Sequence, residues 1–285
     1  MKKITLLLLA GFSTLAYGQV LTDSFEYASG TDINGQVSPS GLSWGSHNLA
    51  GNNMNVVSNS GLSYSAAGYS GYTESGNALS LDSTGAGSPW WAPEYHPSVA
   101  YVNNVSATMG NTVYGSFLVR RETWSAGPSM YLDSGALIGT GNGSYHAGLY
   151  VSNGIYTISA YDTPTQTFPS ASTGKNSNVG QTDLIVFMYE QGLAGGEQRF
   201  SMSVNPILNG GPIAWDASVT AIRGASNFRT EFYSGHTTGI SPAQITYDEI
   251  RFGSTLEAVT PVPEPATLGV LGICGLIAAR RTRKK

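Results

Sequence analysis

The interior of the chain is dominated by short runs in which apolar and polar residues alternate. Between residues 19 and 260 there is no stretch of a dozen residues with a sustained 3.6-residue period and helix caps. Gly, Ser, Asn and Pro separate the β-rich runs, as they do in sandwiches and barrels. We predict strands over Val20–Tyr27, Met54–Val57, Ala78–Leu81, Thr112–Arg120, Ser129–Leu132, His146–Val151, Ile155–Tyr161, Asp183–Tyr189, Gln198–Val204, Phe228–Tyr233 and Gln244–Phe252.

One turn and one strand are predicted in more detail. Asn153-Gly154 lies between two alternating runs, AGLYVS and IYTISAY, and is typical of a type I′ hairpin turn because both central residues need positive φ. In the last strand, strict alternation predicts two faces: Ile245, Tyr247, Glu249 and Arg251 on one, and Thr246, Asp248, Ile250 and Phe252 on the other.

Length and repeat structure narrow the all-β prediction to a two-sheet sandwich. No repeat of constant period is present, which disfavours propellers and solenoids. Residues 19–260 contain no evident linker and are too many for one immunoglobulin-type sandwich. Sheets with this many strands must cover one another, so we expect one antiparallel two-sheet jelly roll.

The N-terminal segment predicts export. Lys2 and Lys3 precede an apolar stretch from Ile4 to about Phe12, and the small residues Ala16 and Gly18 follow. This order of a charged, an apolar and a small-residue region is that of a secretory signal peptide. We therefore expect residues 1–18 to be removed and the mature protein to begin at Gln19.

The C-terminal segment has three consecutive parts. Pro263-Glu264-Pro265 comes first, and the apolar run 266–279 follows; as a helix it is about 21 Å long, short against a hydrocarbon core of about 30 Å. The run is followed by a basic cluster that the positive-inside bias holds on the cytoplasmic side, namely Arg280, Arg281, Arg283, Lys284 and Lys285. The segment is predicted to stop in the inner membrane and leave the preceding chain outside.

These three parts resemble the PEP-CTERM sorting signal of Gram-negative bacteria, over residues 261–285. The resemblance implies that an exosortase, a membrane-embedded cysteine protease, recognises Pro263-Glu264-Pro265 and removes the short transmembrane helix. The protein would then pass to the outer surface or an exopolysaccharide matrix, with only a transient stay in the inner membrane. An ordinary anchor that stays in place is the alternative.

Charge and cysteine content exclude several classes of partner and chemistry. The precursor has 14 basic and 18 acidic residues, but half of the basic residues lie in the two terminal segments, so the body is strongly acidic. This argues against nucleic acid and anionic membranes as partners and leaves neutral polysaccharide or cations. Cys274, the single cysteine, lies in the tail, so the mature body has no disulfide and no thiolate nucleophile.

Four segments in order resemble exported bacterial proteins with a concanavalin A-like lectin/glucanase, or laminin G-like, sandwich. They are DSFEYASGTDINGQ with the following GLSW, then VYGSFLVR, RFSMSVNP and ITYDEIRFGSTLEAVTP. The resemblance implies a jelly roll. It implies little about activity, because such proteins include sugar binders, hydrolases and passive matrix modules.

No catalytic residue is predicted. Two acids on one face of a strand need even spacing, whereas Asp248 and Glu249 are adjacent. Four glutamates stand alone, namely Glu94, Glu122, Glu190 and Glu231, although acids distant in sequence can still converge. The histidines His47, His96, His146 and His236 have no metal-binding spacing. No cofactor is expected apart from Ca²⁺, for which the loop acids Asp82, Asp133 and Asp216 are candidates.

The most suggestive stretch of the body is SPWWAPEYHPS, residues 88–98. Trp90, Trp91, Tyr95 and His96 stand between prolines that stiffen a loop, and exposed aromatic faces of this kind can stack on sugar rings. The alternative is that the same rings close one end of the sandwich, since large apolar side chains are usually buried.

The function predicted from these features is that of an exported, exosortase-sorted module, without catalytic activity, associated with exopolysaccharide or the cell surface. A carbohydrate-binding, lectin-like protein that uses the Trp90–His96 loop is the runner-up. A glycoside hydrolase or polysaccharide lyase is the third possibility, since a sandwich of this kind also carries enzymes.

Overall fold

The computed structural model describes residues 20–47, 54–58, 61–64, 76–82, 99–102, 110–122, 129–133, 147–208, 212–222, 229–233 and 244–260. Within these residues the protein is built from two antiparallel sheets. The first sheet has eight strands: β1 (Val20–Asp23), β3 (Met54–Ser58), β4 (Ala78–Asp82), β6 (Thr112–Arg121), β11 (Thr182–Glu190), β12 (Glu197–Val204), β13 (Ala217–Ile222) and β15 (Gln244–Gly253).

The second sheet has seven strands among the described residues. They are β2 (Trp44–His47), β5 (Val99–Val102), β7 (Ser129–Asp133), β8 (Ala147–Ser152), β9 (Ile155–Ala160), β10 (Ser170–Asn176) and β14 (Arg229–Tyr233). Their order across the sheet is β10-β9-β8-β7-β14-β5-β2, whereas the first sheet runs β13-β12-β11-β6-β15-β4-β3 with β1 beside the second half of β15. A 3-10 turn at Ala194–Gly196 and a one-turn helix, α1 (Leu256–Val259), complete the described elements.

The two sheets enclose one main core. Alternate residues of each strand point inward, so that Phe117 and Tyr247 of the eight-stranded sheet and Trp44, Leu149 and Ile158 of the seven-stranded sheet belong to the same buried cluster. Phe117 and Tyr247 are fully buried, with ring centroids 5.8 Å apart. The predicted all-β, two-sheet sandwich is therefore confirmed.

The outer face of the eight-stranded sheet is also covered. Leu118, Leu184 and Val186 point away from the main core and form a second buried cluster with Leu62, Tyr64 and Ile213 from the segments that cross this face. This is why β6 and β11 are buried along nearly their whole length rather than at every second residue.

The predicted hairpin turn is confirmed. β8 and β9 pair up to Ser152 and Ile155, and the two residues between them have φ of 50° at Asn153 and 78° at Gly154. Positive φ at both central positions defines the type I′ turn, whose twist matches that of the flanking strands.

The predicted faces of the last strand are wrong for its second half. Asp248 pairs with Leu118 but Arg251 pairs with Ser116, so the strand contains one extra residue, a β-bulge. Glu249 takes up this residue with φ of 48°. Beyond the bulge the alternation is shifted by one, and the residues buried in the main core are Ile245, Tyr247, Ile250 and Phe252.

Candidate functional site

The residues predicted to act in sorting and in sugar stacking lie outside the described residues. These are the sorting tripeptide Pro263, Glu264 and Pro265, the basic cluster Arg280, Arg281, Arg283, Lys284 and Lys285, and the loop residues Trp90, Trp91, Tyr95 and His96. The signal peptide, residues 1–18, lies outside as well. The two ends of the aromatic segment are described: it leaves the eight-stranded sheet at Asp82 and enters the seven-stranded sheet at Val99.

The outer face of the seven-stranded sheet is the candidate site. Trp44, Val102, Leu149 and Ile158 point into the main core, so the residues next to them in each strand occupy the opposite face. The pairing register joins one such residue from every strand into what we call the central row: Gly45, Tyr101, Glu231, Tyr131, Gly148, Ser159 and Ser170.

The central row places a carboxylic acid between two tyrosines. Glu231 of β14 pairs with Tyr101 of β5 on one side and with Tyr131 of β7 on the other. Each tyrosine position is followed across the sheet by a glycine, Gly45 or Gly148. Aromatic rings with a hydroxyl group suit surfaces that are partly apolar and partly wet.

A second pair of charged residues lies on the same face. Asp133 at the end of β7 pairs directly with Arg229 at the start of β14. Each is two residues along its strand from the central row, so Asp133 and Glu231 are diagonal neighbours on this face. This grouping could not be recognised in the sequence, because Asp133 is about a hundred residues from Arg229 and Glu231 and only strand pairing brings them together.

At the β9–β10 side, the outer face ends in a pair of aromatic rings that are tilted against each other. Tyr161 and Phe168 have ring centroids 5.0 Å apart at an interplanar angle of 51°, and Phe168 is 51% exposed. The loop that carries them is held to the other sheet, because the Ile222 amide donates to Asp162 Oδ1 at 2.8 Å and the Thr163 amide donates to the Ile222 carbonyl at 3.0 Å. These rings are thus presented on a fixed loop.

Asp162 is the residue that organises this loop. Hydrogen bonds from the Thr165 hydroxyl and then from the Ile222 amide lower the pKa of Asp162, so the carboxylate is ionised at neutral pH. The Asp162 amide also donates to the Thr167 carbonyl at 2.9 Å. Since one carboxylate oxygen accepts from Thr165 of the loop and the other from Ile222 of β13, Asp162 holds the loop in place, and the exposed side chains of the loop include the aromatic pair.

Two buried acids lie where β1 meets the bulge of β15. Asp23 accepts hydrogen bonds from the Tyr27 hydroxyl, the Trp44 indole and the Phe25 amide, each at 2.7 Å. Burial raises the pKa of Asp23 despite these donors. The indole bond links β2 of one sheet to β1 of the other, so Asp23 fastens the two sheets together.

Asp248 is fully buried at the bulge. Its oxygens accept the amides of Leu62 and Glu249, both at 2.7 Å, and burial raises its pKa to about 8. The bond to Leu62 holds the segment 61–64 across the outer face of the eight-stranded sheet. A strongly shifted pKa often marks a functional group, but this carboxyl has no exposed surface and its bonds are structural.

The candidate calcium ligands are distributed over both sheets. Asp82 ends β4 and Asp133 ends β7, in different sheets. Asp216 accepts the Val204 amide at 2.8 Å and the Ser203 hydroxyl at 3.0 Å. Within the described residues there is no group of three or more His, Cys, Asp or Glu side chains that could hold a metal ion.

Comparison with known proteins identifies the C-terminal segment. Residues 261–284 match the PEP-CTERM protein-sorting motif, which confirms the prediction for this segment. No curated protein matches the chain. None of the described helices is long and apolar enough to cross a bilayer.

Solved structures with a similar fold include two enzymes and a domain with bound Ca²⁺ and Man3GlcNAc. The endo-β-1,4-glucuronan lyase of the fungus Trichoderma reesei is 14% identical, with 67% of this chain and 86% of that chain covered and a TM-score of 0.47. The endo-1,3-β-glucanase of Streptomyces sioyaensis is 12% identical, with coverages of 84% and 97% and a TM-score of 0.46. The exoplasmic/lumenal domain of VIP36 is 9% identical, with coverages of 65% and 84% and a TM-score of 0.37.

Proposed function

We propose that this protein is exported, is processed by an exosortase at Pro263-Glu264-Pro265, and is retained in an exopolysaccharide or cell-surface matrix as a non-catalytic module. We further propose that it binds polysaccharide through the outer face of the seven-stranded sheet. The observation that carries this second part is the central row, in which Tyr101, Glu231 and Tyr131 are consecutive cross-strand neighbours.

The dimensions of the face suit an extended polymer. Seven strands spaced about 4.8 Å apart make a row about 29 Å long, which accommodates several sugar rings in line. Tyr150, also on this face and half-buried, and the Tyr161–Phe168 pair extend the aromatic surface beyond the row. The acidic body favours a neutral glycan over an acidic one, because like charges repel.

The loop with Trp90, Trp91, Tyr95 and His96 remains the second candidate for sugar binding. It enters the sheet at Val99, which pairs with Tyr233 on one side and His47 on the other, all on the outer face. A stacking platform in this loop would therefore border the same face, so the two candidates can act on one polymer.

The grouping of Glu231, Asp133 and Arg229 keeps an enzyme as the alternative. Glycoside hydrolases place two carboxyl groups about 5 to 9.5 Å apart, and diagonal neighbours in a sheet have Cα atoms about 7 to 8 Å apart. We favour binding because Asp133 pairs directly with Arg229. This pairing suits an ion pair between Asp133 and Arg229 better than a catalytic pair of Asp133 and Glu231.

The test uses the processed protein purified from culture medium and the polysaccharide of the same strain, with neutral glucans for comparison. We expect Tyr101→Ala and Tyr131→Ala each to weaken binding about tenfold, since an aromatic contact contributes about 0.5–1.5 kcal/mol beyond its area. Tyr114→Ala is the matched control, because Tyr114 is a half-buried tyrosine of β6 on the opposite sheet. Calorimetry measures affinity and thermal unfolding verifies the fold.

Three outcomes would change the proposal. Unaltered binding in both tyrosine variants rules out the outer face as the glycan site. Loss of binding in Trp90→Ala or Trp91→Ala, at unchanged melting temperature, moves the site to the loop. Release of reducing ends or unsaturated sugars by the wild type, abolished in Glu231→Gln, establishes an enzyme instead.

A further inference from the structure

The last residues of the folded body are held against the eight-stranded sheet. α1 begins after Thr255, whose hydroxyl accepts the Ala258 amide at 3.3 Å, and ends at the fully buried Val259. The Val259 carbonyl accepts the Ser116 hydroxyl of β6 at 2.5 Å. Thr260, 3% exposed, donates its amide to the Leu256 carbonyl at 3.0 Å. The chain is therefore fixed to the body up to Thr260.

This attachment lies on one particular side of the sandwich. Leu256 packs against the cluster formed by Leu118, Leu184 and Val186, which covers the outer face of the eight-stranded sheet. The main core and the whole seven-stranded sheet lie between this cluster and the outer face proposed to bind glycan. Thr260 and the central row are therefore on opposite sides of the molecule.

The connection from Thr260 to the apolar run of the sorting motif is short. About six residues lead from Thr260 to Ala266, and fully extended they span about 20 Å. The headgroup layer takes up about 5–8 Å of that distance. While the run 266–279 is in a bilayer, Thr260 must thus stay within about 15 Å of the headgroup surface.

That reach is too short for the outer face of the seven-stranded sheet to touch the lipid. The two sheets are about 10 Å apart, and α1 adds a layer about 10 Å thick. With the side chains of the outer face resting on the headgroups, Thr260 would be about 25 Å above them. A reach of about 15 Å excludes this arrangement.

We propose that, while the tail is anchored, the body stands with its α1 side toward the lipid headgroups and the outer face of the seven-stranded sheet turned away. The sheet that carries the central row is then open to polysaccharide before processing as well as after it. This orientation rests on the membrane stage of the proposed function. The short tether, and not electrostatic attraction, sets this orientation, because a body with an excess of acidic residues is not attracted to anionic lipid.

The test measures the distance of two labels from the bilayer in the full-length chain. Cys274→Ser removes the single cysteine. Glu257→Cys then places a label on the exposed surface of α1, and Ser172→Cys places one on β10 at the outer face, opposite Thr157. Each protein is reconstituted in phosphatidylcholine liposomes, and fluorescence quenching by a headgroup-attached quencher is recorded.

We expect several-fold stronger quenching at residue 257 than at residue 172. Insertion of an about 12-residue Gly/Ser segment between Pro261 and Val262 lengthens the tether by about 40 Å and should make the two labels equal. Equal quenching without the insertion, or stronger quenching at residue 172, overturns the orientation. Failure to float with the liposomes shows that the tail does not anchor; this also overturns the orientation, whereas glycan binding by the soluble processed protein is measured separately.

Discussion

At the scale of single residues, Asp248 has a protonation state set by its burial. Loss of water raises its pKa to about 8, amide donors from Leu62 and Glu249 lower it, and the neighbouring carboxyls of Glu249 and Asp23 raise it further. At neutral pH the folded protein therefore holds a proton that the unfolded chain releases. A carboxyl group whose pKa is lowered in the folded state would show the opposite linkage.

The first prediction is that stability falls as pH rises from about 5 to 8. The pKa of Asp248 is raised in the folded state, so its contribution is full below the unfolded value of about 4 and is lost as pH approaches 8. Between these limits the slope is about 1.4 kcal/mol per pH unit. The unfolding free energy is measured by denaturant titration at several pH values, with a chelator in the buffer. We expect it to change less with pH in Asp248→Asn than in the wild type. The control is Asp32→Asn, which alters an exposed acid. The prediction is contradicted if the unfolding free energy of Asp248→Asn has the same pH dependence as that of the wild type.

The environment of Asp248 could not be predicted from the sequence. Alternation placed it on the face of Ile250 and Phe252, whereas it lies on the opposite face because Glu249 forms the bulge. A bulge at a non-glycine residue has no clear sequence signal, since it depends on the register of β6 and β1 on either side. The acid's partner, Leu62, comes from a segment far away in the sequence.

At the scale of elements, local sequence patterns predicted most strands and the β8–β9 turn. Strong alternation located the runs that became long central strands, and Asn153-Gly154 gave the turn correctly. Four strands were missed: β2, β5, β10 and β13. β10 is a polar edge strand, mostly Ser, Thr and Gly, and β13 alternates only small apolar residues, so neither has a distinct hydrophobic pattern.

The second prediction concerns the β8–β9 hairpin. Gly154 has φ of 78°, where a β-branched side chain is strained, so Gly154→Val should cost about 1–2 kcal/mol of unfolding free energy. Asn153→Gly should be close to neutral, because glycine adopts positive φ freely. Chemical denaturation of the two variants measures the difference, and equal stabilities would show that the turn is not type I′ in solution.

At the scale of the whole molecule, the two sheets have different roles. The eight-stranded sheet is covered on both faces and carries the attachment of the C-terminal segment, whereas no described element packs on the outer face of the seven-stranded sheet. Sequence motifs predicted the sorting of the chain because the signal is contiguous. The candidate binding face was not predicted, because Tyr101, Tyr131 and Glu231 become neighbours only when strands from distant parts of the chain pair.

The third prediction concerns processing. The mature protein is expected to begin at Gln19 and to lack Cys274, which intact-mass measurement of the secreted protein determines directly. Replacing Pro263-Glu264-Pro265 by three alanines should leave the precursor uncleaved at its C-terminus and membrane-bound. A secreted form that still contains residues 266–285 would exclude exosortase cleavage.

The bulge in β15 affects how distant relatives of this chain should be aligned. The residues of β15 that belong to the main core are spaced two, three and two apart, at Ile245, Tyr247, Ile250 and Phe252. An alignment that assumes an uninterrupted strand would match one half of this pattern and put the other half out of phase. Allowing one insertion at Glu249 restores both halves, so a search profile with that single gap should detect relatives that a gapless profile misses.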